Sequence, residues 1–278
     1  MRVQLSGARG GHSGEDIAAG RVNAIKALGQ VLEAAFGAVP FALVSLDGGV
    51  SRNAIPRAAQ AVVAVADQSA FERTARSELA AIVREHAGTD DGLVLQLEPA
   101  GTQHAADPEE TRRILDLLSA IPTGAIAMSP HGSGSVETSI CLTVARTDSG
   151  ELVLSSMARS SNAAALDDLL ARMEELARHG GAGIDVRRSY PPWAPRLDSL
   201  LLRRTAAAFT RLFGSEPELV VVHGGLECAV LGQKLEGVEM ISVGPEIVGL
   251  HAPGEKVRIS STERCYRLLA ALVDDLSS

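Results

Sequence analysis

Residues 1–36 read MRVQLSGARGGHSGEDIAAGRVNAIKALGQVLEAAF, and the fold follows from how this stretch is divided. Val3 and Leu5 alternate with polar neighbours between Met1 and Ser6, the period of a half-buried strand. From Glu15 to Phe36, Ile17, Ala24, Leu28, Val31 and Ala35 recur every three or four residues, which predicts an amphipathic helix. Between the two lies Gly10-Gly11-His12-Ser13-Gly14. Glycines there let the backbone turn sharply and expose the imidazole, which can then donate a hydrogen bond to a developing oxyanion. A plain turn, with Ser13 or Gly14 capping the helix, accounts for the same residues.

Working outward, strands are expected over Phe41 to Leu46 and Ala61 to Val65, joined through Asp47-Gly48-Gly49. A helix over Phe71 to His86 and a strand over Leu93 to Leu97 complete the order β-α-β-β-α-β, that of a ferredoxin-like layer. The pattern then partly repeats. Pro108 to Ala120 is a helix with acidic residues at its positive end, and Glu137 to Arg146 and Glu151 to Met157 form a hairpin. Asn162 to Arg178 is a further helix, and Ile184 to Val186 a closing strand. Two related α+β layers in tandem are the expected result.

Around Tyr190 the character changes. Pro191, Pro192 and Pro195 flank Trp193 in a stiff connector. Beyond it come a helix over Leu197 to Phe213, strands at Leu219 to Val222 and Met240 to Val243, and a helix over Thr262 to Leu276. Strands followed by helices describe an open α/β layer, here the end of a larger sheet.

The net charge of -8 argues against a nucleic-acid partner and gives anionic membranes nothing to attract. No apolar run reaches the ~20 residues that cross a bilayer, and residues 1–20 lack a signal-type apolar segment. Cys141, Cys228 and Cys265 are scattered and form no CxxC pair, so a reducing cytoplasm is the simplest setting.

Four further segments carry candidate chemistry. Arg52-Asn53-Ala54-Ile55-Pro56-Arg57 links two strands and can bind a carbonyl or carboxylate, or simply make a turn. Arg159-Ser160-Ser161-Asn162 ends one strand ahead of a helix; Ser161 or Asn162 caps it, and Arg159 can grip a carboxylate. His223-Gly224-Gly225-Leu226-Glu227-Cys228 follows the most apolar strand, where open α/β sheets bind ligands, and Leu226 to Leu231 can begin a helix. His251 follows a second strand and its loop, placed as a neutral metal ligand or a surface residue.

Together the motifs are far more specific than any one. GGHSG with EDIAAGRVNAIK, then RNAIPRAA, SVETS, RSS, YPPWAP, HGGLECAVL and ISVGPEIVGLHAPGEK closely resemble, in this order, the aminoacyl-histidine dipeptidases. These form a branch of the cocatalytic zinc peptidases that includes carnosinases and aminoacylases. The resemblance runs from Ser6 to Leu272. It implies an α/β chain in which residues 1–188 are an enlarged lid of two tandem ferredoxin-like layers. Residues 189–278 would then be the C-terminal segment of an α/β zinc-peptidase catalytic domain.

It also implies roles. His12 polarises the scissile carbonyl, Asn53 contacts substrate, and Arg159 binds the substrate carboxylate. Gly224, Gly225 and Glu227 line the substrate site, with no role for Glu227, and His251 is the last metal ligand. Departures within the motifs are small: HGG stands for the usual HAG, and HAPGE for HSPDE. The larger one is that the family's HxD motif, Glu-Glu pair and further acidic ligand have no counterpart here. The cofactor expected is zinc, two ions in the family, or manganese or cobalt. The expected function is hydrolysis of Xaa-His dipeptides, with most metal ligands and the general base contributed by a missing N-terminal half, or else peptide binding without cleavage. A metal-free hydrolase pairing Cys228 with His223 is a weaker alternative, since two residues on one loop rarely make a prepared nucleophile and base. The expected partners are a dipeptide, the missing half or a second copy.

Overall fold

The computed structural model describes all residues except 102–104, 131–133, 189, 236, 250–253 and 278. In chain order the first elements are β1 (Arg2–Ser6), β2 (Gly11–His12), α1 (Ala24–Ala38), β3 (Phe41–Gly48), β4 (Ala54–Ile55), β5 (Ala59–Val65), α2 (Gln68–Glu85) and β6 (Val94–Glu98). Then come α3 (Pro108–Ala120), β7 (Gly124–Met128), β8 (Val136–Asp148), β9 (Glu151–Ser160) and α4 (Ala163–His179). The last are α5 (Leu200–Phe213), α6 (Glu227–Lys234), β10 (Ile247–Val248), β11 (Lys256–Val257) and α7 (Ile259–Ser277).

β6, β1, β5 and β3 lie side by side, each antiparallel to its neighbour, the strand order that the β-α-β-β-α-β reading requires. The second α+β run joins the same sheet. β8 meets β3 where Ala145 stands opposite Gly48, and it also carries β7 and β9. The two layers therefore share one seven-stranded sheet.

The core forms where α1 lies against the sheet, with Ile25, Leu28, Val31 and Leu32 fully buried. α2 and α3 flank it, adding Phe71, Leu115 and Leu118. With aromatics at 3% of the chain, the few present are grouped: Phe41 meets Phe36 and Phe71 edge-on at 5.2 and 5.5 Å. Burying one such side chain is worth roughly 1.5–3 kcal/mol.

α1 starts at Ala24, not at Glu15 as its periodicity suggests. Asn23 ends the loop by accepting hydrogen bonds from Ile25 N and Lys26 N, while its amide donates to Leu142 O at 2.6 Å. Residues 13–20 are turns instead. The expected strand at Ile184 to Val186 is also absent: residues 182–188 carry no regular structure.

The chain divides into two compact units. The first is Met1–Ile126, Ser139–Ala158 and Asp167–Val186; the second is Ala127–Thr138, Arg159–Leu166 and Arg187–Ser278. In the second, α5 packs on α7, where Arg211 bonds both oxygens of Asp275 and Arg264 stands 4.6 Å from the Phe213 ring centre. Leu219 to Val222 and Met240 to Val243 do not pair as strands. A strand needs a neighbour for its backbone groups, and these segments have none among the described residues. No helix among the described residues is long and apolar enough to cross a membrane.

Candidate functional site

His12 is placed by a two-stranded ribbon. β2 pairs with β4, Gly11 opposite Ile55 and His12 opposite Ala54, and Ser13 N donates to Asn53 O at 2.8 Å. Two residues that the sequence nominates separately, His12 and Asn53, thus lie on the two chains of one ribbon at the same end. The imidazole is half-buried and Asn53 is exposed. The backbone N–H of Glu15 donates to His12 Nδ1 at 3.2 Å. With Nδ1 accepting, the neutral ring carries its proton on Nε2, the tautomer that can donate outward.

The backbone around His12 is held by two residues that the sequence reading passed over. His12 N donates to Asp16 Oδ2 at 2.8 Å, and Asp16 N donates back to His12 O at 3.1 Å. Asp16 Oδ1 pairs with Arg21 Nη2 at 2.8 Å, and Arg21 Nη1 donates to Gly10 O at 2.6 Å. Asp90, fully buried, closes the base of the loop by accepting from Arg9 N at 2.6 Å and Val22 N at 2.8 Å. The signal was present in the sequence as acidic and basic residues beside GGHSG, but helical spacing absorbed Asp16.

Arg159 lies in the second unit, one residue before the end of β9, and is half-buried. The turn beyond it is built by hydroxyls. Ser160 Oγ shares a hydrogen bond with Thr138 Oγ1 at 2.8 Å and accepts from Asn162 N at 3.0 Å. Asn162 Oδ1 accepts from Ala165 N at 3.3 Å, so Asn162 caps α4. Beside this corner is a cleft of about 330 Å³ whose walls include Glu137, Ser161, Asn162 and Ala194.

Gly224, Gly225 and Glu227 lie within four consecutive residues of the same unit, after the buried His223. A Cβ on Gly225 would stand 2.6 Å from Tyr190 Cγ, so only glycine fits against that ring. Glu227 is exposed at the first turn of α6, where a negative charge suits the helix start. The Cys228 thiol is directed at Ile241 O, 3.8 Å away.

His251 lies outside the described residues. Among the described residues, no three or more His, Cys, Asp and Glu side chains stand close enough to hold a metal ion. A catalytic zinc needs about three protein ligands, so these residues do not fit a metal centre by themselves.

Residues 3–91 match the peptidase dimerisation domain. The chain is 30% identical over 279 aligned positions to the cytosol non-specific dipeptidase of Escherichia coli K12, covering 99% of this chain and 58% of that one. It superposes on the crystal structure of aminoacylhistidine dipeptidase from Vibrio alginolyticus with a TM-score of 0.87 and 29% identity. That match covers 99% of this chain and 56% of the other. The chain therefore spans a little over half the length of these relatives.

Proposed function

We propose that this chain, which carries a peptidase dimerisation domain at residues 3–91, supplies the substrate-holding part of a metal-dependent dipeptidase. Residues 1–188 act as its lid and residues 189–278 as the C-terminal segment of its catalytic domain. The observation that carries the reading is the ribbon that sets His12 beside Asn53, with His12 Nδ1 accepting from Glu15 N.

In this reading the Nε2–H of His12 donates to the peptide carbonyl oxygen as it gains negative charge. Losing one such donor costs about 10²–10³ in kcat in other acyl-transfer enzymes. Asn53 contacts the substrate beside His12. Arg159 grips the terminal carboxylate through its two-pronged guanidinium. Gly224 and Gly225 offer open backbone along the substrate, and Glu227 lies next to them. His251 would be one ligand of the metal, zinc or in its place manganese or cobalt, which would activate the attacking water and would need further donors that the described residues do not supply. Xaa-His dipeptides are the assigned substrates, and the cytoplasm the assigned compartment.

The test uses the carboxylate. The chain is titrated with an Xaa-His dipeptide and with its C-terminal amide, and the two affinities are compared. The reading expects the free acid to bind at least tenfold tighter, and Arg159→Ala to erase that preference, because charge-assisted bonds are worth about 1.5–3 kcal/mol. If Arg159→Ala weakens acid and amide equally, the role of Arg159 is wrong.

Peptide binding without cleavage is the second reading, and the His12–Asn53 ribbon serves it equally well. Adding a polypeptide that bears the HxD and Glu-Glu ligands separates the two. Metal-dependent cleavage then appears under the first reading only.

A further inference from the structure

We infer that Asp16 and Arg21 are positioning residues for His12: a carboxylate–guanidinium clasp that fixes which imidazole nitrogen faces the substrate. The inference deepens the reading of His12 as a donor to the carbonyl oxygen, and takes its functional weight from that reading. Its structural claim stands without it.

The geometry is specific. Asp16 grips the His12 peptide unit from both ends, its carboxylate taking the amide proton at 2.8 Å and its own amide giving a proton to the carbonyl at 3.1 Å. This closes a tight turn over residues 12–16 and brings Glu15 N–H to His12 Nδ1 at 3.2 Å. That turn orients the Glu15 amide at the ring, and loosening it is expected to let the proton exchange between the two nitrogens. Arg21 keeps the Asp16 carboxylate in place at 2.8 Å and ties it to Gly10 O at 2.6 Å. The clasp lies directly over Gly11, where a Cβ would be 2.1 Å from Arg21 Nη1 and 2.5 Å from Asp16 Oδ2.

The ion pair by itself contributes little to fold stability. The Asp16 and Arg21 side chains are about one-third exposed, at 31% and 27%. Ion pairs so placed add little to stability. Asp90, fully buried, already ties residues 9 and 22 at the loop's base. The clasp adds orientation inside a loop that is closed without it.

The test is nitrogen NMR of the histidine rings in the whole chain labelled with ¹⁵N-histidine, the His12 signals being assigned by their loss in His12→Gln. In the parent chain His12 is expected as a single Nε2–H tautomer. Asp16→Ala is expected to give the averaged shifts of two exchanging tautomers, while the other ring signals stay in place. Asp16→Asn, whose amide oxygen still accepts the His12 N–H, is expected to recover most of the parent spectrum. Arg21→Gln provides the same reading should Asp16→Ala fail to fold, and is expected to fall between parent and Asp16→Ala. An unchanged His12 tautomer in Asp16→Ala, or in Arg21→Gln, overturns the inference. Should the tautomer shift in the variants but His12→Gln retain full activity in the complete dipeptidase, the clasp stands and the catalytic reading of His12 falls. In that complete enzyme Asp16→Ala is expected to lower kcat at least tenfold with KM changed less than twofold, and to add nothing on top of His12→Gln.

Discussion

At Gly11 the backbone takes φ +147°, and the space a side chain would need is filled by Arg21 and Asp16. Gly11→Ala therefore has to strain the backbone and push the ion pair aside. A strained backbone of this type costs about 1–3 kcal/mol. The variant is expected to lower the thermal midpoint and to perturb the His12 ring signals together, whereas an unaltered midpoint would show that the loop has slack. The sequence made part of this legible. Glycines around a histidine announce a turn, and Asn53 and Arg159 stand out by residue type. What it hid was partnership: Asp16 stands four residues after His12, a spacing that a helix also produces, Arg21 stands five further on, and only the turn shows what they hold. The pairing of Asn53 with His12 was equally hidden, because it passes through two short strands that no periodicity marks.

At the scale of elements, two charged side chains finish helices from a distance. Lys26 reaches the end of α3 and donates to Leu118 O, Ser119 O and Ile121 O at 2.6, 2.7 and 2.8 Å. Helix ends leave their last carbonyls without intrahelical partners, and a cation there answers both their lone pairs and the helix dipole. Lys26→Met keeps the apolar stem but orphans all three carbonyls. It is expected to destabilise by about 1.5–3 kcal/mol, read as a shift in urea midpoint without a change in slope. Glu239 serves the start of α5, accepting from Leu201 N at 2.9 Å and Leu200 N at 3.2 Å. These backbone bonds, Leu201 first, outweigh desolvation and hold its carboxyl below the ordinary glutamate value, with Ser199 and Arg196 assisting. A depressed carboxylate stabilises the fold above its unfolded pKa, and that contribution is lost as pH falls through the folded value. Glu239→Gln is expected to melt earlier than the parent at neutral pH, with the gap closing in acid; a gap that stays constant with pH would refute the assignment.

Helices were the legible elements because the stripe that packs them is written in one segment. Pro108 to Ala120 was read to the residue, with Asp107 as its cap and proline at its first position. Strands were legible only where a neighbour exists. Leu219-Val220-Val221-Val222 has the composition of a buried strand, yet Leu219, Val220 and Val222 are 51%, 62% and 43% exposed. Composition states what a segment can bury, and its partner decides whether it does.

For the whole molecule, the first unit holds most of the buried apolar residues, while the second leaves many large ones exposed, Leu231, Val248, Ile259 and Val273 among them. Apolar surface on this scale marks contact with other polypeptide. The chain by itself is expected to self-associate in sedimentation velocity at micromolar concentration, and a single monomer boundary would argue otherwise. The measurement that tests the central claim most directly is elemental analysis of the purified chain, paired with an Xaa-His hydrolysis assay in added zinc, manganese or cobalt. No stoichiometric metal and no cleavage are expected from the chain alone, with both appearing once the polypeptide bearing the HxD and Glu-Glu ligands is supplied. Stoichiometric metal with metal-dependent cleavage by the chain alone would contradict the claim.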